Sequence, residues 1–411
     1  MSEERRLSQD RQQITEAIGQ IVPADPEVMA AAKARQDSLA KPPESLGGLE
    51  DMSIRIAGMT GQIINRIDRF CVAVFCADNG VVREGISSAP QSVTMAQTVN
   101  FTRRLTGVGA LSKSYGSELL IVDMGVKDIP AGLYVDTPLE DTSKIVNRRI
   151  RPEKGETDSI AEGFAMTEEE AVRAIATGIE MADAIKAGGF DIMGVGEMGI
   201  GNTTTSAALL SSILGRDSSD TVGRGGGVND NGFNRKKEIV DEASRKYRHR
   251  GGILNIIEEL REAEAGTGRA IETGIRLDTM AEAFARMGGF DICAMAGAFL
   301  GAAKNRMPVV IDGYISVVAA LAAYAMCPDA RDYMIASHKS YERGYALAVD
   351  VLGLKPFLAL EMRLGEGSGC PIAFAVIKGA CDVMANMATF EEAAIEDDYL
   401  EEIRGEEKFR R

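Results

Sequence analysis

Runs that are apolar at successive positions are the tightest constraint in this sequence, because a strand wetted on one face alternates while a strand buried on both faces does not. FCVAVFCAD at 70–78, ELLIVDMGV at 118–126, FDIMGVGEMG at 190–199 and MPVVIDGY at 307–314 are such runs, and each stops at a Gly or an Asp. YMIAS at 333–337 is a shorter one. Alanine-rich helical stretches lie between them, among them 204–214 and 292–305. A parallel sheet covered by helices on both faces accounts for both patterns, so the chain is expected to fold as an open α/β domain. Ligands of such sheets sit beyond the carboxyl ends of the strands, which singles out the loops after Asp78, Asp123, Gly199 and Asp312.

The 411 residues, 45% of them hydrophobic, are enough for a large core shared between two domains. A formal net charge of −15 disfavours a nucleic-acid partner, which concentrated Lys and Arg would have to bind. The charged start lacks an apolar signal segment, and no apolar stretch is long enough to span a bilayer, so a cytoplasmic protein is expected. The six cysteines form no CxxC pair and have no histidine at ligand spacing, so buried thiols are expected rather than a metal site or a disulfide framework. Residues 1 to about 66 are expected to be helical, with a break at Lys41, Pro42 and Pro43; 151–164 is expected to be a loop and 396–411 a solvated charge run.

Four segments could carry chemistry. In GVGEMGIGNTTT at 194–205 a strand runs through glycines into a helix start, a plausible phosphate cradle. Gly194, Gly196 and Gly199 also satisfy GxGxxG, which raises a dinucleotide-binding oxidoreductase as a competitor, and a plain turn capped by Asn202 or Thr203 is a third reading. In RLGEGSGCPIAF at 363–374, Glu366 stands between glycines ahead of an apolar helix, where it could be a desolvated general base or simply a cap of that helix. Spacing does not separate the two. The loop 223–237 ends in Arg235, Lys236 and Lys237, either an anion contact or a solvated surface. Asp78 and Asn79 end the first strand, where turn duty is the default. With only His249 and His338 available, a Ser-His-Asp triad is disfavoured.

Taken in order, KPPESLGGLE at 41–50, CADNGVVREG at 76–85, PQSVTMAQTVNFTRRLTGVGAL at 90–111, GEMGIGNTTT at 196–205, GGFDICAMAG at 288–297, DGY at 312–314, SHKS at 337–340 and RLGEGSG at 363–369 resemble the nicotinate-nucleotide:5,6-dimethylbenzimidazole phosphoribosyltransferase family. The likeness runs from about residue 20 to residue 393. It implies transfer of phosphoribose from nicotinate mononucleotide to a benzimidazole nitrogen, with Glu366 as general base and Glu197 as a second carboxylate at the developing charge. Gly199, Gly201, Asn202, Thr203 and Lys236 are then expected at the nucleotide, and Gln97 in the base pocket. Asp78, Ala89, Gly365 and Gly367 complete the expected substrate contacts.

The resemblance further implies a Rossmann-like parallel-sheet domain over 67–345. A smaller helical domain is expected from both chain ends, 1–66 and 346–411, and the enzyme is expected to be a homodimer needing neither metal nor other cofactor. Asn79 stands where many members have His, Glu44 where Gly is usual, and Ala89 where some have a pocket serine. These departures leave the acceptor open among benzimidazoles, purines and phenols. A family member that binds without turnover, or only with a partner, is the other reading beside the oxidoreductase.

Overall fold

The computed structural model describes residues 3–263 and 268–400. One sheet of seven parallel strands runs through it: β1 (Phe70–Ala77), β2 (Glu118–Gly125), β3 (Tyr134–Val135), β4 (Ile145–Asn147), β5 (Ile192–Met198), β6 (Val309–Ile311) and β7 (Met334–Ala336), in the order β3-β4-β2-β1-β5-β6-β7. Every residue of β1 and of β5 is buried, as the apolar run of β1 requires, and Glu197 is the one acid within β5. The expected α/β architecture is therefore the observed one. β3 and β4, of two and three residues, extend the sheet beyond β2 and carry no apolar run long enough to announce them.

Local chemistry places the helices. Thr167 and Glu170 close a reciprocal capping box on the helix Glu168–Ala187, which packs against Phe290–Lys304. Asp25 accepts the backbone N–H groups of Glu27 and Val28, and Pro26 opens the helix Pro26–Ser38 at the position where a missing N–H costs nothing. The expected break follows that helix, and Gly48–Thr60 resumes after it. Within the break Glu44 adopts φ 58°, a left-handed backbone that explains why glycine suits this position better. No regular helix or strand occurs over 151–164, and all six cysteines are buried without disulfides. Of the charged tail, 401–411 lies outside the described residues. Among the described residues no helix is long and apolar enough to cross a membrane.

The chain ends meet. Gly48–Thr60 packs on both Pro26–Ser38 and Gly369–Asn386, and Leu39 bridges Thr389 in antiparallel fashion. A buried ion pair joins Lys41 to Glu50 at 2.7 Å. The first helix, Glu3–Gln20, lies instead against Glu168–Ala187 and Arg269–Met287.

The helix Gly369–Asn386 also lies on β1, β5 and β6, and two positions on β5 allow it. A Cβ on Gly194 would stand 2.5 Å from the Cβ of Cys370, and one on Gly196 would stand 2.4 Å from the carbonyl oxygen of Glu366. Gly196→Ala is accordingly expected to destabilise the fold by about 1–3 kcal/mol, as overpacked cores do. Urea unfolding checks this, and a variant as stable as the parent would mean that the 365–368 loop can leave β5 without cost.

Candidate active site

At the carboxyl edge of the sheet three helices begin around one cavity of about 260 Å³. β5 turns through Gly199 and Gly201 into Asn202–Leu214, and β6 turns through Asp312 and Gly313 into Tyr314–Met326. Neither helix start is capped by a side chain. Asn202 and Thr204 donate back to the Gly199 and Gly201 carbonyls at 3.0 and 2.9 Å, so the remaining first-turn N–H groups and the dipole ends are what favour an anion at this edge. From the other side comes the 363–368 loop, leading into Gly369–Asn386.

Glu366 is the most constrained residue of the site. It has φ 64° between Gly365 and Gly367, both at φ 85°. For a residue with a Cβ this left-handed conformation costs on the order of 1–2 kcal/mol. Its carboxylate accepts from the Gln97 side chain at 3.2 Å and from the Val108 backbone N–H at 3.2 Å. It does not cap the helix that follows it, whose first N–H, from Gly369, goes to Asp312 at 2.7 Å. Burial raises the Glu366 pKa above the usual glutamate value, the direction that suits a base working near neutral pH.

Behind it lies a group of buried acids. Asn202, one of the two residues thought able to cap the turn, points inward and donates to Glu197 at 2.5 Å and Asp291 at 3.0 Å. Burial pushes Glu197 up to about 8, with the charges of Asp291 and Asp312 adding to the effect. Asp291 is raised to about 6 and Asp312 to about 7, burial again being the main cause. His338, buried beside Asp312, is lowered to about 4 by desolvation and is neutral at ordinary pH.

Most of the residues expected at the site line the cavity. Glu197, Gly199, Gly201, Asn202 and Thr203 form one side of it; Gln97, Ala89, Gly365 and Glu366 line it too. Three expected residues do not. Lys236 is buried behind Thr203, donating to that hydroxyl at 2.8 Å and to the Gly223 carbonyl at 3.2 Å, and desolvation lowers its pKa to about 8. Asp78 accepts from the Lys127 backbone at 2.8 Å, below the site. Gly367 packs against Val72 and Gly196. Asn79 is buried under Gly199, so of the two departures from the family near the pocket only Ala89 faces the cavity.

The glycine motif divides. Gly199 and Gly201 border the cavity, whereas Gly194 and Gly196 are covered by Cys370 and Glu366 and have no room for a pyrophosphate. Sequence reasoning assigned no role to Asp291, Asp312 or His338. Asp312 follows β6 directly, in a loop marked for chemistry, and Asp291 is the one acid of the largely apolar helix Phe290–Lys304, which is the available signal.

A buried acid of raised pKa beside two helix starts is an arrangement that suits an α/β group-transfer enzyme. Comparison with known proteins narrows the class: the DBI_PRT family, described as phosphoribosyltransferase, matches residues 21–266 and 262–395. A nicotinate-nucleotide–dimethylbenzimidazole phosphoribosyltransferase of Clostridium perfringens is 46% identical over 394 residues, 96% of this chain and 98% of that one. Its Clostridium tetani counterpart is 41% identical over 393 residues, covering 95% and 98%. The crystal structure of CobT from Thermus thermophilus superposes with a TM-score of 0.77 at 34% identity, covering 90% of this chain and 100% of that one. The chain belongs to the nicotinate-nucleotide–dimethylbenzimidazole phosphoribosyltransferase family, the family that its motifs resemble.

The acid group makes stability depend on pH with a definite sign. Glu197 holds its proton up to about pH 8 when folded but ionises near 4.5 when unfolded, so the folded state binds more protons between those values. Stability from this group is full below 4.5 and is lost as pH rises through 8; Asp291 and Asp312 act in the same direction. Glu197→Gln is expected to flatten the fall in melting temperature between about pH 5 and pH 8. An equally steep fall in the variant would show that Glu197 ionises freely in the folded protein.

Proposed function

We propose that the chain transfers the phosphoribosyl group of nicotinate mononucleotide to a ring nitrogen of 5,6-dimethylbenzimidazole or a related aromatic base, releasing nicotinate and forming the α-ribazole 5′-phosphate from which the cobalamin lower ligand is built. The observation that carries this reading is Glu366, a buried carboxylate of raised pKa held by two donors on the wall of a cavity that also contains two uncapped helix starts.

In this reading the phosphate sits at the N-termini of Asn202–Leu214 and Tyr314–Met326, with the Thr203 hydroxyl held in place by Lys236. Ile86, Val93 and Leu364 give the cavity an apolar side suited to a flat ring, and Gln97 stands one helical turn from Val93. The acceptor nitrogen attacks C1′ of the ribose from the face opposite nicotinate, so the configuration inverts from β to α. The new N–C1′ bond forms as the old one breaks, and the electron pair of the broken bond returns to the pyridine nitrogen. Glu366 takes the azole proton and places negative charge near the cationic ribose of the transition state. Glu197, protonated at neutral pH, serves as a hydrogen-bonding group rather than a second charge. Alignment of the two rings in one closed site supplies much of the rate.

The same reading treats the chain-end helices as a smaller unit beside the sheet domain, dividing near residues 66 and 345, although Glu3–Gln20 packs on helices of the sheet domain. The contacts of Gly48–Thr60 with Gly369–Asn386 support that division. A cytoplasmic location and a homodimeric state go with it, and fractionation and sedimentation test them.

Nicotinate release from nicotinate mononucleotide is expected to require an acceptor, with 5,6-dimethylbenzimidazole, adenine and phenol giving a ranked series. Binding without release for every acceptor would favour the binding-only or partner-dependent reading. Glu366→Gln is expected to lower kcat by a factor on the order of 10², with the KM for the nucleotide changed far less. In the parent enzyme activity rises with pH as Glu366 loses its proton, so the acid limb is expected above the ordinary glutamate value of 4.5. Near-parental turnover in the variant would remove Glu366 from the role of base.

A further inference from the structure

Resting on the reading of Glu366 as the base, we propose that Asp312 is the positioning residue that fixes Glu366 for proton transfer, by accepting the backbone N–H groups just beyond it. The Asp312 carboxylate, only 2% exposed, accepts from Gly367 at 3.0 Å through one oxygen and from Gly369 at 2.7 Å through the other. Asp312 follows directly on β6, its own N–H donates to the Ser316 hydroxyl at 3.2 Å, and its carbonyl accepts from Ser337 at 3.1 Å. A group tied in this way to the sheet edge grips the loop immediately after Glu366.

The loop has need of that grip. Residues 365 to 367 all hold positive φ, which the two glycines adopt freely but Glu366 holds only under restraint. The backbone N–H of Glu366 itself reaches the acid group only through a long bond to Glu197, at 3.4 Å. Gly369 approaches so closely that a Cβ there would stand 2.4 Å from His338 Nδ1 and 2.9 Å from Asp312 Oδ1. His338 lies 3.9 Å from Asp312 and is neutral, so it supplies no counter-charge. The other titratable groups near Asp312, namely Glu366, Glu197, Tyr345 and Cys370, are acids. The two amide donors of the loop are therefore what the carboxylate binds, and its geometry and theirs are set together.

The test is a cycle on the reaction itself. Asp312→Asn keeps the shape but turns one acceptor into a donor facing an N–H, and is expected to lower kcat roughly 30-fold with the nucleotide KM within about 3-fold, as a small misplacement of a reacting group does. In a Glu366→Gln background the same change is expected to cost less than about 3-fold, because the base it positions is already gone. A merely structural role would multiply the loss equally in both backgrounds and would overturn the proposal, as would turnover within about 2-fold of the parent in Asp312→Asn. A measurement on the parent enzyme needs no variant: the amide protons of Gly367 and Gly369 are expected to exchange slower than unprotected loop amides by a factor on the order of 10³. Exchange at the unprotected rate would also overturn it. Near-parental turnover in Glu366→Gln would remove the base and this inference with it, whereas a silent Asp312→Asn would remove the inference alone.

Discussion

Close approach between β5 and the chain that crosses it is the constraint on which the rest of this structure depends. Because residues 194 and 196 carry no side chains, the 366–370 backbone lies directly on the strand, with Gly367 also against Val72. The helix that continues from it buries Cys370, Ala373, Phe374 and Ile377, and Phe374 stacks on Phe70 at 5.3 Å between ring centroids. Full burial of side chains such as Phe and Ile contributes about 1.5–3 kcal/mol each. The left-handed residue at 366 costs on the order of 1–2 kcal/mol. Packing of the helix therefore outweighs the strain of the loop, and Glu366 stays where two donors can reach it.

The cost of crowding Glu197, Asp291, Asp312 and Glu366 into one edge of the sheet is met in three ways. Amide donors from Asn202, Gln97, Val108, Gly367 and Gly369 point at these groups. Burial keeps Glu197 protonated at neutral pH, which removes one of the charges. The helix starts at 202 and 314 then add positive potential to the cavity. In a chain with a net charge of −15 these helix starts act together with Arg224 and Arg363, which also line the cavity.

The strands that build the site were legible because β1, β2 and β5 are long and apolar at successive positions. β3 and β4 were not, since two or three residues hold no period and their place is set by β2. The site was legible in part. Glu366 could be singled out by its flanking glycines, but whether it is a base or a cap depends on Gln97 and Val108, 269 and 258 positions away. Only the fold brings those together. The same limit applies to GxGxxG: the letters are those of a nucleotide loop, yet two of the glycines are contact points for another segment and one faces the cavity. A lone Asp at a strand end, such as Asp312, reads the same in sequence whether it makes a turn or holds a loop.

In the proposed reaction, acceptor choice and the placing of Glu366 share one helix. Val93 and Gln97 stand four residues apart on Ser92–Thr102, so they occupy the same face, and both line the cavity. Ala89, just before that helix, adds a methyl where a serine would add a hydroxyl, beside Ser87 and Ser88, which line the cavity too. Because Gln97 is also a donor to Glu366, a change that tilts this helix to admit a larger ring moves one of the two donors of the base. The other donor is Val108 on the separate Gly107–Tyr115 helix, and the loop that carries Glu366 is anchored on Asp312 after β6. A substitution at position 89 touches the cavity wall without touching either donor of Glu366, whereas a displaced Ser92–Thr102 backbone carries Gln97 with it.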